Sequence, residues 1–302
     1  MSPTRREVLQ AGAVAATGML GASAMSKSSV PSAPFKLKYA PHFGMFQNHS
    51  GGDPVDQLKF AADEGFMAWE DNGMFGRSTE EQSRIAKAMS DLGMTMGVFV
   101  AHAEWGKPIY ARGGKETMDM LRGVAKQSVE CAKRVNAKWM TVVPGPYDVG
   151  LPMDMQHANV IDCLRVMAEV FEPEGMVMVL EPLNHRDHSG MLLKTVNQGY
   201  LLCRGVDSPA CKILNDLYHT QIAEGNLIPN MDACWSEIAY FQIGDNPGRN
   251  EPTTGEINYR NVFKHIHERG FAGVMGMEHG LSQGGKEGER RLINAYREVD
   301  SF

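Results

Sequence analysis

From Phe35 onward the chain repeats one pattern of apolar and polar positions. A short apolar run is followed by a polar loop carrying Gly or Pro, then by a stretch with apolar residues three and four apart, then by a Gly that leads into the next apolar run. Continuous apolar runs suit strands buried on both faces, and three-and-four spacing suits amphipathic helices. The Gly junctions fall at Gly65-Phe66, Gly93-Met94, Gly175-Met176 and Gly270-Phe271, each reading as a helix end that runs into a strand. Helix starts are also legible. Asp53-Pro54 offers an N-cap with proline at the first helical position, and Ser78 with Glu81 has capping-box spacing before Ile85, Met89 and Leu92. Val160, Leu164, Met167 and Phe171 share one helical face.

The predicted strands are Leu37–Ala40, Phe66–Glu70, Thr95–Val100, Trp139–Val143, Met176–Glu181, Lys212–Asp216, Tyr240–Ile243 and Val274–Glu278. Eight strands alternating with helices over roughly 250 residues predict an α/β protein of (β/α)8 barrel architecture. A doubly wound open sheet is the competitor, but no glycine-rich phosphate fingerprint follows any of the strands.

Chemistry in such a barrel gathers at the C-terminal strand ends. Strand five runs into Glu181, strand six into Asp216, strand seven ends at Gln242-Ile243, and strand eight runs into Glu278, at intervals of 35, 26 and 36 residues that each match one repeat. These four would converge on one mouth. Three carboxylates that close either hold protons or are neutralised by a cation, and an all-oxygen set suits Mg²⁺ or Mn²⁺, with Co²⁺ also compatible.

Composition narrows the partners. The 302 residues carry 30 Lys plus Arg against 36 Asp plus Glu, a net charge of -6, which is opposite to a nucleic-acid-binding footprint. No run approaches the ~20 apolar residues of a membrane span, so stable membrane insertion of the mature chain is not expected. The five cysteines form no C-x-x-C pair, and their odd number excludes a complete intramolecular disulfide framework. Cys203 and Cys211 are the pair close enough in sequence to close a short loop.

The N-terminus reads as an address. Thr4-Arg5-Arg6-Glu7-Val8-Leu9, then an uncharged Gly- and Ala-rich run to Met25, resembles a twin-arginine export signal. The expected organisation is a signal peptide over residues 1–24, cleaved after Ala22-Ser23-Ala24, a flexible linker over 25–34 and a single barrel domain over 35–302. The twin-arginine translocase would be a transient partner and the periplasm the destination. That route moves folded proteins, often with a metal or cofactor already bound, which fits a metal site.

At the late strand ends the sequence resembles the hydroxypyruvate isomerase family of the xylose-isomerase-like TIM barrel superfamily. Glu181-Pro182-Leu183-Asn184-His185-Arg186-Asp187 is similar to that family's E-P-x-N-x-R-D, and Asp216-Leu217-Tyr218-His219-Thr220-Gln221 to its D-x-Y-H-x-Q. The segment from Gln242 to Pro252, continued by Thr254-Gly255-Glu256-Ile257-Asn258-Tyr259, resembles its Q-I-A-D-x-P-G-R-x-E-P-x-x-G-E-I-N-Y. The resemblance implies Glu181, Asp216, Gln242 and Glu278 as ligands of one divalent metal ion. It implies Glu181 and Glu278 as the catalytic acid/base pair, and His219 and Arg249 as substrate-binding residues. The implied reaction is isomerisation or epimerisation of a sugar or hydroxy-keto acid by proton transfer beside a carbonyl, through a cis-enediolate.

Departures from the family pattern touch the pocket rather than the ligands. Phe241 replaces a small aliphatic residue, Ser189 and Met191 replace the usual Pro and aromatic, and His279 stands where Tyr is common. The early strands bring His42, Glu70 and His102 toward the same mouth. Because an exported relative meets sugars more readily than hydroxypyruvate, a keto-sugar is the favoured substrate. The alternatives are a metal-dependent hydrolase or lyase of keto-sugar derivatives, and a noncatalytic exported sugar-binding barrel. Phe43, Phe46, Trp69, Trp105 and Tyr218 are candidates for stacking on a sugar, each weighed against core packing. Trp235 and the 21 dispersed methionines read as packing. Such barrels often form homo-oligomers, but nothing in the sequence identifies an interface. A reporter protein fused behind residues 1–34 should be exported from the cytoplasm; retention of the reporter would remove the basis for a periplasmic destination.

Overall fold

The computed structural model describes residues 32–302, so the expected export signal over 1–24 and residues 25–31 of the expected linker lie outside the described residues. Its strands are β1 (Lys38–Ala40), β2 (Ala68–Trp69), β3 (Thr95–Met96), β4 (Phe99–Ala103), β5 (Trp139–Val143), β6 (Val177–Leu180), β7 (Cys211–Asp216), β8 (Ile238–Gln242) and β9 (Val274–Gly276). All pairings between them are parallel, in the order β1-β9-β8-β7-β6-β5-β4, with β2 paired to β3. Closure runs through β2. Glu70 N donates to Pro41 O at 2.9 Å beside the His42–Glu70 bridge, and Gly97 N donates to Trp69 O at 2.7 Å.

The predicted strand Thr95–Val100 is therefore two pieces, β3 and β4, broken at Gly97-Val98. The cause is the side chain of Tyr240, which reaches across the interior until its hydroxyl meets Val98 N at 3.4 Å. A Cβ on residue 97 would lie 2.4 Å from that hydroxyl, so only glycine fits there. Each βα unit then carries its helix outside: Pro54–Asp63, Thr79–Asp91, Lys115–Val135, Met153–Phe171, Val196–Val206, the pair Leu217–Ala223 and Leu227–Cys234, Tyr259–Glu268 and Gly285–Val299. The fold is a (β/α)8 barrel.

Local signals explain the element ends. Asp53 caps its helix by accepting from Val55 N and Asp56 N ahead of Pro54 at the first position, and the Ser78 hydroxyl accepts from Glu81 N. Gly65, Gly93, Gly175 and Gly270 all take positive φ at the helix-to-strand junctions. Trp235 packs on Phe241 and Phe271. All five cysteines are free and buried, with Cys203 Sγ and Cys211 Sγ 4.0 Å apart.

Two apolar layers result. The larger one lies between strands and helices and includes Phe66, Val160, Leu164, Met167 and Phe171. The smaller one fills the barrel itself with Ala40, Ala68, Val98, Val179, Leu214, Tyr240 and Val274. Successive strand side chains alternate faces, so the residues two positions further along also point inward. Those residues are His42, Glu70, Val100, Glu181, Asp216, Gln242 and Gly276. The period-two rule alone thus carries the interior from an apolar floor to a polar mouth. Among the described residues no helix is long and apolar enough to cross a membrane.

Phe66 is fully buried, with its ring centroid 4.7 Å from Phe35, 5.6 Å from Phe46 and 6.3 Å from Tyr296. Phe66→Ala should lower the unfolding free energy by about 3–5 kcal/mol in a denaturant titration, the cost of a large-to-small change in a packed layer.

Candidate active site

Asp216 closes β7 and is also the N-cap of the helix Leu217–Ala223. Its Oδ1 accepts from Tyr218 N at 2.8 Å, which turns Oδ2 toward the barrel mouth. In the neighbouring ladder Asp216 stands opposite Gln242, and Gln242 stands opposite Gly276. Glu181 follows β6 and joins Asp216 and His219 in a buried group whose candidate ligand atoms lie within 4.8 Å of one another. His219 Nε2 is 3.7 Å from Glu181 Oε1 and 3.6 Å from Asp216 Oδ2.

Whether His219 is a ligand or a donor is decided by its other nitrogen. Asn184 Oδ1 accepts from Arg186 N and Asp187 N, each at 3.0 Å, so the Asn184 amide is fixed with Nδ2 outward. Nδ2 lies 2.6 Å from His219 Nδ1, and Asn184 N also points at that nitrogen at 3.4 Å. Two donors on Nδ1 make it the acceptor, and the proton of the neutral ring then sits on Nε2. Burial lowers the His219 pKa to about 4, so the ring stays neutral at ordinary pH. Nε2–H therefore faces the carboxylates as a hydrogen-bond donor, and it offers no lone pair to a cation in this tautomer.

Arg249 enters from the loop after β8, where Asp245 holds the backbone by accepting from Asn246 N, Thr254 N, Gly255 N and Ile257 N. Arg249 itself has φ +47°, a conformation a non-glycine residue adopts only where its surroundings impose it. Its Nη2 donates to Asp216 Oδ2 and to Glu278 Oε2, both at 2.8 Å, and its guanidinium lies 4.8 Å from the Tyr218 ring centroid. The other Glu278 oxygen accepts from Asn72 Nδ2 at 3.0 Å. Sequence reasoning missed Asn72, although it sits two residues beyond Glu70 on the same inward-facing set.

Glu70 lies just below. It is 1% exposed, and its two oxygens accept from Gln242 Nε2 at 2.9 Å and from the Tyr240 hydroxyl at 2.8 Å. Gln242 Oε1 is left buried with no hydrogen-bond partner. Burial, then Glu278, pushes the Glu70 carboxyl up to about 8. Burial also raises Glu278 to about 7 against the pull of Arg249, and raises Glu181 well above the usual carboxylate range with help from Glu278 and Asp216. For Arg249, burial alone would lower the pKa, but Asp216, Glu278 and Glu181 outweigh it and raise it. Ionised together, Glu70, Glu181, Asp216 and Glu278 would outnumber Arg249, which pairs with Asp216 and Glu278, so the cluster holds protons or takes up positive charge.

The cavity at this mouth has a volume of about 140 Å³, and its lining includes Asn72, Trp105, Thr141, Glu181, His188, His219, Arg249 and Glu278. Of the aromatic candidates, only Trp105 lines it; Trp105 is 56% exposed and leans on His188 with ring centroids 5.6 Å apart. Phe46 and Trp69 are core, Phe43 packs on Trp69, and the Tyr218 hydroxyl donates to Asp187. His188, which sequence reasoning passed over, follows the Arg186-Asp187 pair directly. The early histidines do not reach the cavity. His102 Nδ1 pairs with the Tyr110 hydroxyl, and His42 is held by Phe43 O and His279 O. His279 turns away to Tyr296.

The sequence profile of the xylose isomerase-like TIM barrel family matches residues 58–298. Hydroxypyruvate isomerase of Escherichia coli K12 is 34% identical over 175 residues, covering 58% of this chain and 67% of that protein. 2-Oxo-tetronate isomerase of Cupriavidus necator is 27% identical over 247 residues, covering 80% and 92%. The crystal structure of 3-keto-D-glucoside 4-epimerase from E. coli superposes with a TM-score of 0.70 at 17% identity, covering 88% of this chain and all of that one.

The shifted groups set a pH dependence. Folded, Glu70 and Glu278 keep their protons up to about pH 8 and 7, whereas unfolded they ionise above about 4.3, so rising pH favours the unfolded chain. His219 and His279, both lowered to about 4 chiefly by burial, act the opposite way, but only below about 6.5 where the unfolded imidazole protonates. The metal-free protein should therefore lose Tm steadily between pH 6.5 and 8, and Mn²⁺ should raise Tm more at pH 8 than at pH 6.5. A flat profile in thermal melts with and without chelator would contradict this charge assignment.

Proposed function

Because this chain belongs to the xylose isomerase-like TIM barrel family, we propose that it is an isomerase or epimerase that moves a proton between carbons beside the carbonyl of a small keto-sugar or hydroxy-keto acid. The observation that carries this reading is the pair Glu181 and Glu278. Glu181 is buried and Glu278 half-buried at one cavity, and burial raises the first well above the usual carboxylate range and the second to about 7, where a carboxyl can serve as acid and as base.

One carboxylate removes the carbon-bound proton, and the other returns it, at the neighbouring carbon for isomerisation or on the opposite face for epimerisation. Glu278 is aimed by Asn72 and Arg249, one on each oxygen. His219, fixed by Asn184 with its proton on Nε2, donates to a substrate oxygen and so steadies the negative charge that develops there. Arg249 presents a planar fork that can hold a substrate oxygen while it screens Asp216 and Glu278 from each other. The cavity of about 140 Å³ is below the ~300–1,000 Å³ of pockets for drug-sized ligands, which favours a small substrate.

The donor set fits a divalent cation. Glu181, Asp216, Gln242 and Glu278 would hold it, and the orphaned Gln242 Oε1 is the buried oxygen that such a cation would satisfy. Carboxylate oxygens bonded to Arg249 keep further lone pairs for it. Bound, the cation would polarise the carbonyl and offset the excess of carboxylates, and Mg²⁺, Mn²⁺ or Co²⁺ suits an oxygen set. Export through residues 1–24 would bring this chemistry to sugars in the periplasm, and a keto-sugar is the substrate we favour there.

Incubated in D₂O with Mn²⁺ and a panel of hydroxypyruvate, free ketoses and keto-glycosides, the protein should place deuterium on the carbon beside a carbonyl. Glu181→Gln and Glu278→Gln should each slow that exchange by about 10²–10⁴-fold in NMR time courses. Product release with no deuterium incorporated would instead support metal-assisted hydrolysis.

A further inference from the structure

Beneath the cavity lies a buried polar unit that the proton-transfer chemistry leaves unused: Glu70 after β2 and Tyr240 on β8, meeting at the side-chain amide of Gln242. β2 and β8 are not ladder neighbours, since β1 and β9 stand between them, so the unit spans the barrel interior. The backbone is shaped to admit it. A Cβ on residue 276 of β9 would lie 1.8 Å from Glu70 Oε2, and one on residue 97 would lie 2.4 Å from the Tyr240 hydroxyl. Two strands therefore carry glycine where these side chains pass, and one of them breaks its ladder at that point.

The amide needs such a holder. A primary amide exchanges the places of its oxygen and nitrogen by half a turn about its last bond, and only the oxygen can face a cation. Glu70 Oε1 accepts from Gln242 Nε2 at 2.9 Å, which fixes the nitrogen downward and leaves Oε1 as the unpartnered buried atom. Tyr240 holds the other Glu70 oxygen at 2.8 Å, so the carboxyl cannot swing away from the amide. With or without a proton, Glu70 keeps one oxygen as an acceptor for that N–H. Tyr240 and Gln242 are two residues apart on one strand face, so the holder and the held group share a backbone.

We propose that Glu70 is a positioning residue, acting with Tyr240 to pin the Gln242 amide so that its oxygen faces the cation site. This rests on the reading of Gln242 as a ligand. The role costs a buried carboxyl beside three others, and no apolar residue could perform it.

Mn²⁺ binding by the metal-stripped full chain tests both statements separately, read as free Mn²⁺ by electron paramagnetic resonance, with near-ultraviolet circular dichroism of the metal-free variants as the fold control. Gln242→Leu should weaken Mn²⁺ binding by about 10–100-fold, and Glu70→Leu by a similar factor, the usual cost of losing the group that orients a ligand. Glu70→Gln should recover most of the affinity, because its amide oxygen still accepts from Gln242 Nε2 and its NH₂ can donate to Tyr240. If Glu70→Leu does not fold, Tyr240→Phe carries the test with an expected loss of several-fold. Unchanged affinity in Gln242→Leu would overturn the ligand reading and the proposal with it. Weak binding in Gln242→Leu beside native affinity in the folded Glu70→Leu, or in Tyr240→Phe if that variant carries the test, would overturn the proposal alone. Equal losses in Glu70→Gln and Glu70→Leu would also overturn it, by showing that charge rather than the amide hydrogen bond matters.

Discussion

Repulsion among Glu70, Glu181, Asp216 and Glu278, gathered at one end of a barrel where Arg249 pairs with Asp216 and Glu278, sets the terms for the residues around them. Glu70, Glu181 and Asp216 are buried and Glu278 is half-buried, and desolvation penalises the charged form before any neighbour is counted. The chain meets the penalty in three ways. Glu70 and Glu278 are given hydrogen-bond donors on both oxygens, Asp216 is used as a helix cap as well as a partner of Arg249, and Glu181 keeps a raised pKa. Ionising such a cluster calls for positive charge nearby, which is the electrostatic side of the case for a cation.

The barrel supports this cluster with its floor. Alanine at positions 40 and 68 and glycine at 97 and 276 make the interior narrow enough to pack yet open enough for Tyr240 to cross it. Because strand side chains repeat every second residue, the apolar floor and the polar mouth belong to the same faces of the same strands. A register slip in β7 or β8 would exchange the inward and outward sets at once. The continuous ladder from β4 round to β1 is therefore as much a condition of the site as any side chain in it.

The strand ends were legible in the sequence because burial stops abruptly there: Val-Met-Val-Leu gives way to Glu181, and Ile-Leu-Asn to Asp216. The repeat, the glycine junctions and the caps at Asp53 and Ser78 were legible for the same reason, being encoded by residues within a few positions of one another. What was not legible depends on distant contacts. The split of the third strand comes from Tyr240, more than a hundred residues away. The inward turn of Asn72 to Glu278 is a contact across the barrel, and the failure of His42 and His102 to line the cavity follows from partners in other loops. Of the aromatic residues, a sequence shows that Trp69 and Trp105 lie near strand ends, but not that one is enclosed and the other is left 56% exposed.

The pair Glu181 and Glu278 is unequal before any substrate arrives. Asn72 and Arg249 hold both oxygens of Glu278 and pull against the burial that raises it to about 7, while burial raises Glu181 well above the usual carboxylate range with Arg249 as a lesser opposing influence. Two carboxyls at one cavity, both raised and differently held, suit an acid/base pair in which one takes the proton and the other gives it. Asn184 extends the same logic to His219, since an imidazole whose Nδ1 is occupied presents Nε2–H at every pH above about 4. The fixed donor, the shared arginine and the unequal glutamates are all set by neighbours in the loops after β2, β6 and β8. The reactivity of this mouth is thus written in the residues that hold its side chains as much as in the side chains themselves.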